Sequence, residues 1–209
     1  QSIFLKRVLR SPIVFADLFM PRAASTKMAD DDRVDKSKLI RIKITSLGDG
    51  GTGKSCIIKR YCEEKFVSRY ISTIGVDFGV KPMEINGYDV KVNFWDLSGH
   101  PEFYDVRNEF YKDTQGCLLV YDATSRRSFE QLDMWVQEAT KFGVKDSTVW
   151  AVCANKCDKK NRAVTLREGL GWAEDHGMKH FETSAKSGEN VNEVFDYLFA
   201  TVVDSMTRR

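Results

Sequence analysis

Residues 48–55 read Gly48-Asp49-Gly50-Gly51-Thr52-Gly53-Lys54-Ser55, and this octapeptide limits the fold more than any other stretch. Its glycines let the backbone curl until successive N–H groups turn toward one centre. The pattern Gly-x-x-x-x-Gly-Lys-Ser/Thr carries meaning only between a strand and a helix. Leu39 to Ile44 alternates apolar and polar residues, as a half-buried strand does, and Ser55 to Lys65 is helical in composition. A helix starting near Lys54 brings its positive dipole end to the same centre. The segment therefore predicts a phosphate cradle running from Gly48 through Cys56. In it Lys54 supplies a full charge to the β- and γ-phosphates, and Ser55 offers a hydroxyl to Mg²⁺.

The rest of the chain continues the alternation. Gly75 to Ile85, Asn86-Gly87 and Tyr88 to Asp96 read as a β-hairpin. Gly116 to Tyr121 and Thr148 to Ala154 are short apolar runs typical of buried parallel strands. Between them, Ser128 to Phe142 sets Phe129, Leu132, Trp135, Val136 and Ala139 on one helical face. Residues 166–176 read as a further helix, His180 to Glu182 as a short strand, and Val191 to Val203 as an amphipathic helix. The expected fold is α/β: a mostly parallel sheet of six strands with one antiparallel edge strand and helices on both faces. The 209 residues suit one such domain, over 38–206, with a short tail at 207–209.

Charge and cysteine content exclude several classes. A net charge of +2 is too weak for a general nucleic-acid binder. Residues 1–27 carry five basic residues against Asp17 alone, leaving a net of −2 on residues 28–209. That basic stretch reads either as a targeting segment or as sequence upstream of a start at Met28, and residues 1–37 are expected to form a disordered extension. Cys56, Cys62, Cys117, Cys153 and Cys157 have neither a disulfide-scaffold count nor a zinc spacing. They point to a reducing, intracellular compartment, cytoplasmic or nuclear. No apolar run approaches the ~20 residues that span a bilayer.

Further motifs fall at strand ends, where α/β proteins bind ligands. Asp96 closes an apolar strand and is followed by Gly99, an Asp-x-x-Gly that elsewhere is an ordinary turn. Beside the glycine loop, Asp96 reads as the carboxylate that reaches Mg²⁺ through water and Gly99 as the amide facing the γ-phosphate. Asn155-Lys156-Cys157-Asp158 follows the strand that ends at Ala154. Asp158 can accept the ring N–H and exocyclic amine of guanine, and adenine would leave that carboxylate unpaired. Lys156 can lay its alkyl stem over a base, and Asn155 can tie loops together. In Thr183-Ser184-Ala185-Lys186, the Ala185 N–H can meet the guanine oxygen. Each motif alone could be a solvated turn or a helix cap.

Taken in order, these motifs resemble the Ras superfamily of small GTPases, P-loop NTPases with a G domain, over residues 38–206. Phe66 falls 12 residues after Lys54, and Thr73 falls 19 after it, as in the family. The resemblance implies GTP and GDP as ligands with Mg²⁺. It implies that Phe66 packs on guanine, that Tyr70 is the switch tyrosine, and that Ser55, Thr73 and Asp96 serve the metal. It further implies nucleotide contacts from Asn155, Lys156, Asp158, Ser184, Ala185 and Lys186, and catalytic duty for Lys54, Thr73, Gly99 and His100. Thr73 to Phe78 looks like a Rab-type effector segment, while the glycine loop looks like that of Ran. Gly99 to Gly116 looks like the Rab-like subfamily called RJL, some of whose members carry a C-terminal J domain. No J domain follows in this sequence.

Two departures follow from the same comparison. His100 stands where most members place a water-orienting glutamine, so hydrolysis is expected to be slow. The sequence ends without a C-terminal prenylation motif, so no prenyl anchor is expected. Effectors, exchange factors and activating proteins are expected to meet residues 68–78 and 97–111. Two classes stay open: a slow GTPase switch in signalling or trafficking, and a GTP-loaded scaffold that recruits partners. A P-loop ATPase or nucleotide kinase would require the base motif to be coincidental.

Overall fold

The computed structural model describes residues 3–5 and 39–208. Strands and helices follow in the order β1 (Ile3–Leu5), β2 (Ile40–Leu47), α1 (Lys54–Glu63), β3 (Val76–Ile85) and β4 (Tyr88–Leu97). A 3₁₀ turn at Pro101–Phe103 leads into α2 (Tyr104–Asn108), followed by β5 (Gly116–Asp122), α3 (Arg126–Glu130) and α4 (Leu132–Lys141). The chain closes with β6 (Val149–Asn155), α5 (Leu166–Asp175), β7 (Lys179–Thr183) and α6 (Val191–Thr207).

The sheet order is β1-β3-β4-β2-β5-β6-β7. Strands β4, β2, β5, β6 and β7 are parallel, and β3 is antiparallel to β4. These six strands are the arrangement expected from the sequence. A seventh, β1, pairs antiparallel with Phe78 to Val80 on the outer edge of β3, where unpaired N–H and C=O groups accept a further strand. The rest of the expected 1–37 extension lies outside the described residues.

The hairpin turns at Asn86 and Gly87, both at positive φ (51° and 79°), as a two-residue turn of right-handed twist requires. The helix expected over 128–142 instead forms two pieces. Ser125 caps α3 by accepting the Ser128 N–H, and Gln131, still in the right-handed helical region, is the one-residue turn between α3 and α4. The turn still leaves Leu132, Trp135 and Ala139 on the buried face.

Alternation along β5 divides the core. Leu118 and Val120 face one layer with Ile57 and Ile58 of α1 and Phe195, Leu198 and Phe199 of α6. Cys117, Leu119 and Tyr121 face the other, with Leu132 and Trp135 of α4 and Ala173 of α5. Each fully buried large side chain of α6 contributes ~1.5–3 kcal/mol, so packing rather than helix propensity holds it.

Tyr121 meets His180 of β7, Oη to Nε2 at 3.1 Å, against Gly169 of α5. Burial lowers the His180 pKa from 6.5 to about 4, so the folded state keeps it neutral. Between those values the unfolded chain binds a proton that the folded chain refuses. This contribution is complete above pH 6.5 and is lost as pH falls toward 4. Denaturant titrations from pH 7 to 4 are expected to show up to ~1.4 kcal/mol lost per unit from this group, a component absent in His180→Gln.

Five parallel strands point their carboxyl ends at one edge, where they deliver Gly48, Asp96, Asp122, Asn155 and Ser184. Because β3 runs antiparallel, its start at Val76 brings the segment before it to the same edge. Among the described residues, no helix is long and apolar enough to cross a membrane.

Candidate functional site: a phosphate cradle with a base-reading loop

The loop between β2 and α1 curls around the Lys54 ammonium. Lys54 is buried, and its Nζ donates to the carbonyls of Gly48 at 2.7 Å and Asp49 at 3.0 Å. Burial lowers its pKa to about 8, against the opposing pull of Asp96 and Asp49. An ammonium held out of water in this way gains strongly from an anionic oxygen. No side chain caps α1 at Gly53, so its first-turn amides face the loop. Gly53 has φ 100°, and a Cβ there would lie 2.3 Å from Asn155 Nδ2. Gly99 is held as closely: a Cβ would sit 2.3 Å from the Gly48 carbonyl oxygen and 2.4 Å from the Gly50 nitrogen.

The three expected metal ligands meet at one point. Ser55 Oγ lies 2.5 Å from Asp96 Oδ2 and 2.9 Å from Thr73 Oγ1, and Thr73 Oγ1 lies 3.4 Å from the same carboxylate oxygen. Ser46 donates to the other carboxylate oxygen at 2.7 Å and fixes the carboxyl plane. Two hydroxyls and a carboxylate form a hard oxygen set that fits Mg²⁺. Among the described residues, no group of three or more His, Cys, Asp and Glu side chains is placed to hold a metal.

At the base-reading end, Asn155 Nδ2 donates to the Thr52 carbonyl at 2.8 Å, while its Oδ1 accepts the Ala185 N–H at 3.2 Å. Asn155 thus links the Thr52 loop to the Ala185 loop. The Ala185 amide, expected on the guanine oxygen, is turned to Asn155 here. Asp158 Oδ1 accepts the Ser184 hydroxyl at 2.7 Å. Lys156 spans from the base loop to the cradle, donating to the Gly51 carbonyl and Asp122 Oδ2, each at 2.7 Å. Burial pushes the Asp122 carboxyl up, but its bonds from Lys156 and Thr124 outweigh this and hold it below the usual range.

The remaining expected residues lie at the rim. Phe66 and Tyr70 are exposed on the irregular stretch between α1 and β3, and Lys186 is exposed beyond Ala185. His100 joins the two flanking segments, with its Nε2 at 2.8 Å from the Tyr70 hydroxyl. Its ring is so near Gly50 that a Cβ there would meet Nε2 at 2.9 Å. Cys56 and Cys157 are half-buried. Burial and the neighbouring Glu189 raise the Cys157 thiol to about 11, so it is mainly protonated at neutral pH.

Three contributors escape the sequence reading. Asp122 anchors Lys156. Arg60 holds the 185–186 loop through the Ala185 carbonyl at 2.8 Å and the Lys186 carbonyl at 2.5 Å. Trp135 donates its indole N–H to Asp49 Oδ1 at 2.8 Å. The position of Asp122 at a strand end was a usable signal, whereas Arg60 and Trp135 read as an ordinary helix residue and a core residue.

The Ras family model matches residues 43–204, which include every motif from Gly48 to Lys186. The chain belongs to the Ras family. It is therefore a small GTPase of a family that binds guanine nucleotide, typically with Mg²⁺. Similar curated proteins include DnaJ homolog subfamily C member 27 of Gallus gallus, 49% identical over 177 residues, which span 82% of this chain and 65% of the relative. The Homo sapiens protein of the same name gives the same figures. Member 27-A of Xenopus laevis is 51% identical over 177 residues, with the same coverage of both chains. The chain thus spans about two thirds of the length of these relatives. The Rab-like, J-domain-associated resemblance carried by Gly99 to Gly116 agrees with them.

Proposed function

We propose that this Ras-family chain is a GTP/GDP switch with slow, Mg²⁺-dependent GTP hydrolysis. The observation that carries this reading is the meeting of Ser55, Thr73 and Asp96 beside the Lys54 cradle. Thr73 comes from a loop of exposed side chains, so the occupied site would hold that loop in place and the emptied γ-position would release it. Bound Mg²⁺ would neutralise charge on the β- and γ-phosphates. Lys54 and the loop amides bind and orient the phosphates, Gly99 allows the close approach of its amide, and Asp158 with Ala185 reads guanine.

Slow hydrolysis rests on His100. Its Nε2 is engaged by Tyr70, and a ring nitrogen cannot donate and accept from one flexible end as an amide does. The same contact favours the second reading, a mainly GTP-loaded scaffold whose exposed Tyr70, Ile71, Ile74 and Val106 recruit partners. Residues 68–78 and 97–111 are the proposed surface for effectors and regulators, within the cytoplasm or nucleus.

Single-turnover GTP hydrolysis separates the two. His100→Gln is expected to raise the rate about tenfold, since a positioned proton acceptor or water-orienting group is worth at least that factor. An unchanged and negligible rate in both proteins favours the scaffold.

A further inference from the structure

Segment 97–111 is fastened to α4 by a buried polar cluster that the nucleotide site does not use. Arg107 of α2 and Glu138 of α4 have side chains only 4% and 6% exposed. Arg107 Nε lies 2.5 Å from Glu138 Oε1 and Nη2 lies 2.7 Å from Oε2, a bidentate pair. The third guanidinium nitrogen, Nη1, donates to the His100 carbonyl at 2.9 Å. Tyr111 closes the other side by donating to Glu138 Oε1 at 2.6 Å. The guanidinium centre lies 4.6 Å from the Trp135 ring, and the Trp135 N–H reaches Asp49 in the phosphate cradle.

This arrangement separates two halves of one segment. From Tyr104 to Tyr111 the chain is held by a desolvated ion pair, and breaking it strands buried charge on both sides. From Leu97 to Phe103 it is held by the Gly99 close approach, the Tyr70–His100 bond and the Arg107 bond to the His100 carbonyl. In that first half, Gly99 makes the close backbone approach to Gly48 and Gly50 of the cradle.

We propose that Arg107 is a positioning residue that locks α2 onto α4 in both nucleotide states, so that the response to the γ-phosphate is confined to residues 97–103 and turns about the His100 carbonyl. The inference rests on the switch reading above. A lysine at this position keeps one positive charge but has no planar fork, so it cannot hold both Glu138 oxygens and the His100 carbonyl.

The test is hydrogen–deuterium exchange on the full chain loaded with GDP or with guanosine 5′-(β,γ-imido)triphosphate. In the unsubstituted protein, exchange over 97–103 is expected to slow about tenfold with the triphosphate analogue, while exchange over 104–111 stays within about twofold. In Arg107→Lys, 104–111 is expected to become nucleotide-dependent, about tenfold faster in the GDP form. Glu138→Gln, which keeps the side-chain volume, serves as a second variant if Arg107→Lys does not fold. Stoichiometric loading is measured first on the same samples. Failure to load either nucleotide overturns the switch reading and this inference with it. Successful loading with a uniform response across 97–111, or variants with an unaltered two-part pattern, overturns the inference alone.

Discussion

Lys54→Met is expected to lower guanine nucleotide affinity at least a hundredfold. The lysine is not a flexible surface charge: its Nζ is gripped by the Gly48 and Asp49 carbonyls and is already out of water. The folded chain therefore carries the desolvation penalty before the ligand arrives, and burial has lowered the pKa to about 8. Phosphate oxygens placed against that ammonium add charge-assisted hydrogen bonds, each worth ~1.5–3 kcal/mol. Losing two of them corresponds to a factor of roughly 10² to 10⁴. Titration with a fluorescent GDP analogue measures this directly. Methionine fills a similar volume, so α1 and the core beneath it should survive. A thermal midpoint for the nucleotide-free variant close to that of the nucleotide-free parent checks the point.

The second large effect is expected from Asp158→Asn. Asp158 sits just past the end of β6, with one carboxylate oxygen accepting the Ser184 hydroxyl. A carboxylate offers two acceptor oxygens to the two donors of guanine, whereas asparagine replaces one acceptor by a donor. Opposed donors lose a charged pair and leave a polar group unmatched, ~2–4 kcal/mol in total, or roughly 30- to 1,000-fold in GDP affinity. Xanthosine diphosphate presents a carbonyl where guanine presents its amine, so the variant is expected to prefer it. Competition binding of GDP, ADP and xanthosine diphosphate reads the change. Equal loss for all three nucleotides would mean that the loop had been damaged rather than re-specified.

Strand ends carried most of what was legible in the sequence. Gly48 to Ser55, Asp96 to Gly99 and Asn155 to Asp158 each follow a recognisable apolar strand, and parallel topology sends such ends to one edge. The Asn86-Gly87 turn likewise fixed the hairpin, because two positive φ values in succession leave few residue choices. Long-range pairing was not legible. Arg107 and Glu138 are 31 residues apart, and each reads alone as a solvated helix charge. The turn at Gln131 was hidden because the apolar spacing of 129–139 suits one helix, and Ser125 as a cap is the better guide to where α3 starts. The motif around Lys156 was legible but the conformation of its side chain was not, since its reach to Asp122 depends on β5 and β6 lying side by side. The Ala185 amide shows the same limit, because its partner depends on whether Asn155 or a base is nearer.

The aromatic residues of 97–111 also divide by packing. Tyr111 is fully buried, and Phe110 packs against Trp95 with ring centroids 5.0 Å apart. Phe103 and Tyr104 are half-buried, which leaves Val106 and the 67–74 stretch as the more open apolar surface.

The central claim is that this edge of the sheet holds guanine nucleotide. The most direct measurement is to denature the purified protein and identify the nucleotide it releases. The expected result is GDP or GTP at close to one equivalent, retained through desalting in the presence of Mg²⁺ and lost with excess chelator. Release of adenine nucleotides, or of none after incubation with GDP and Mg²⁺, would contradict the account.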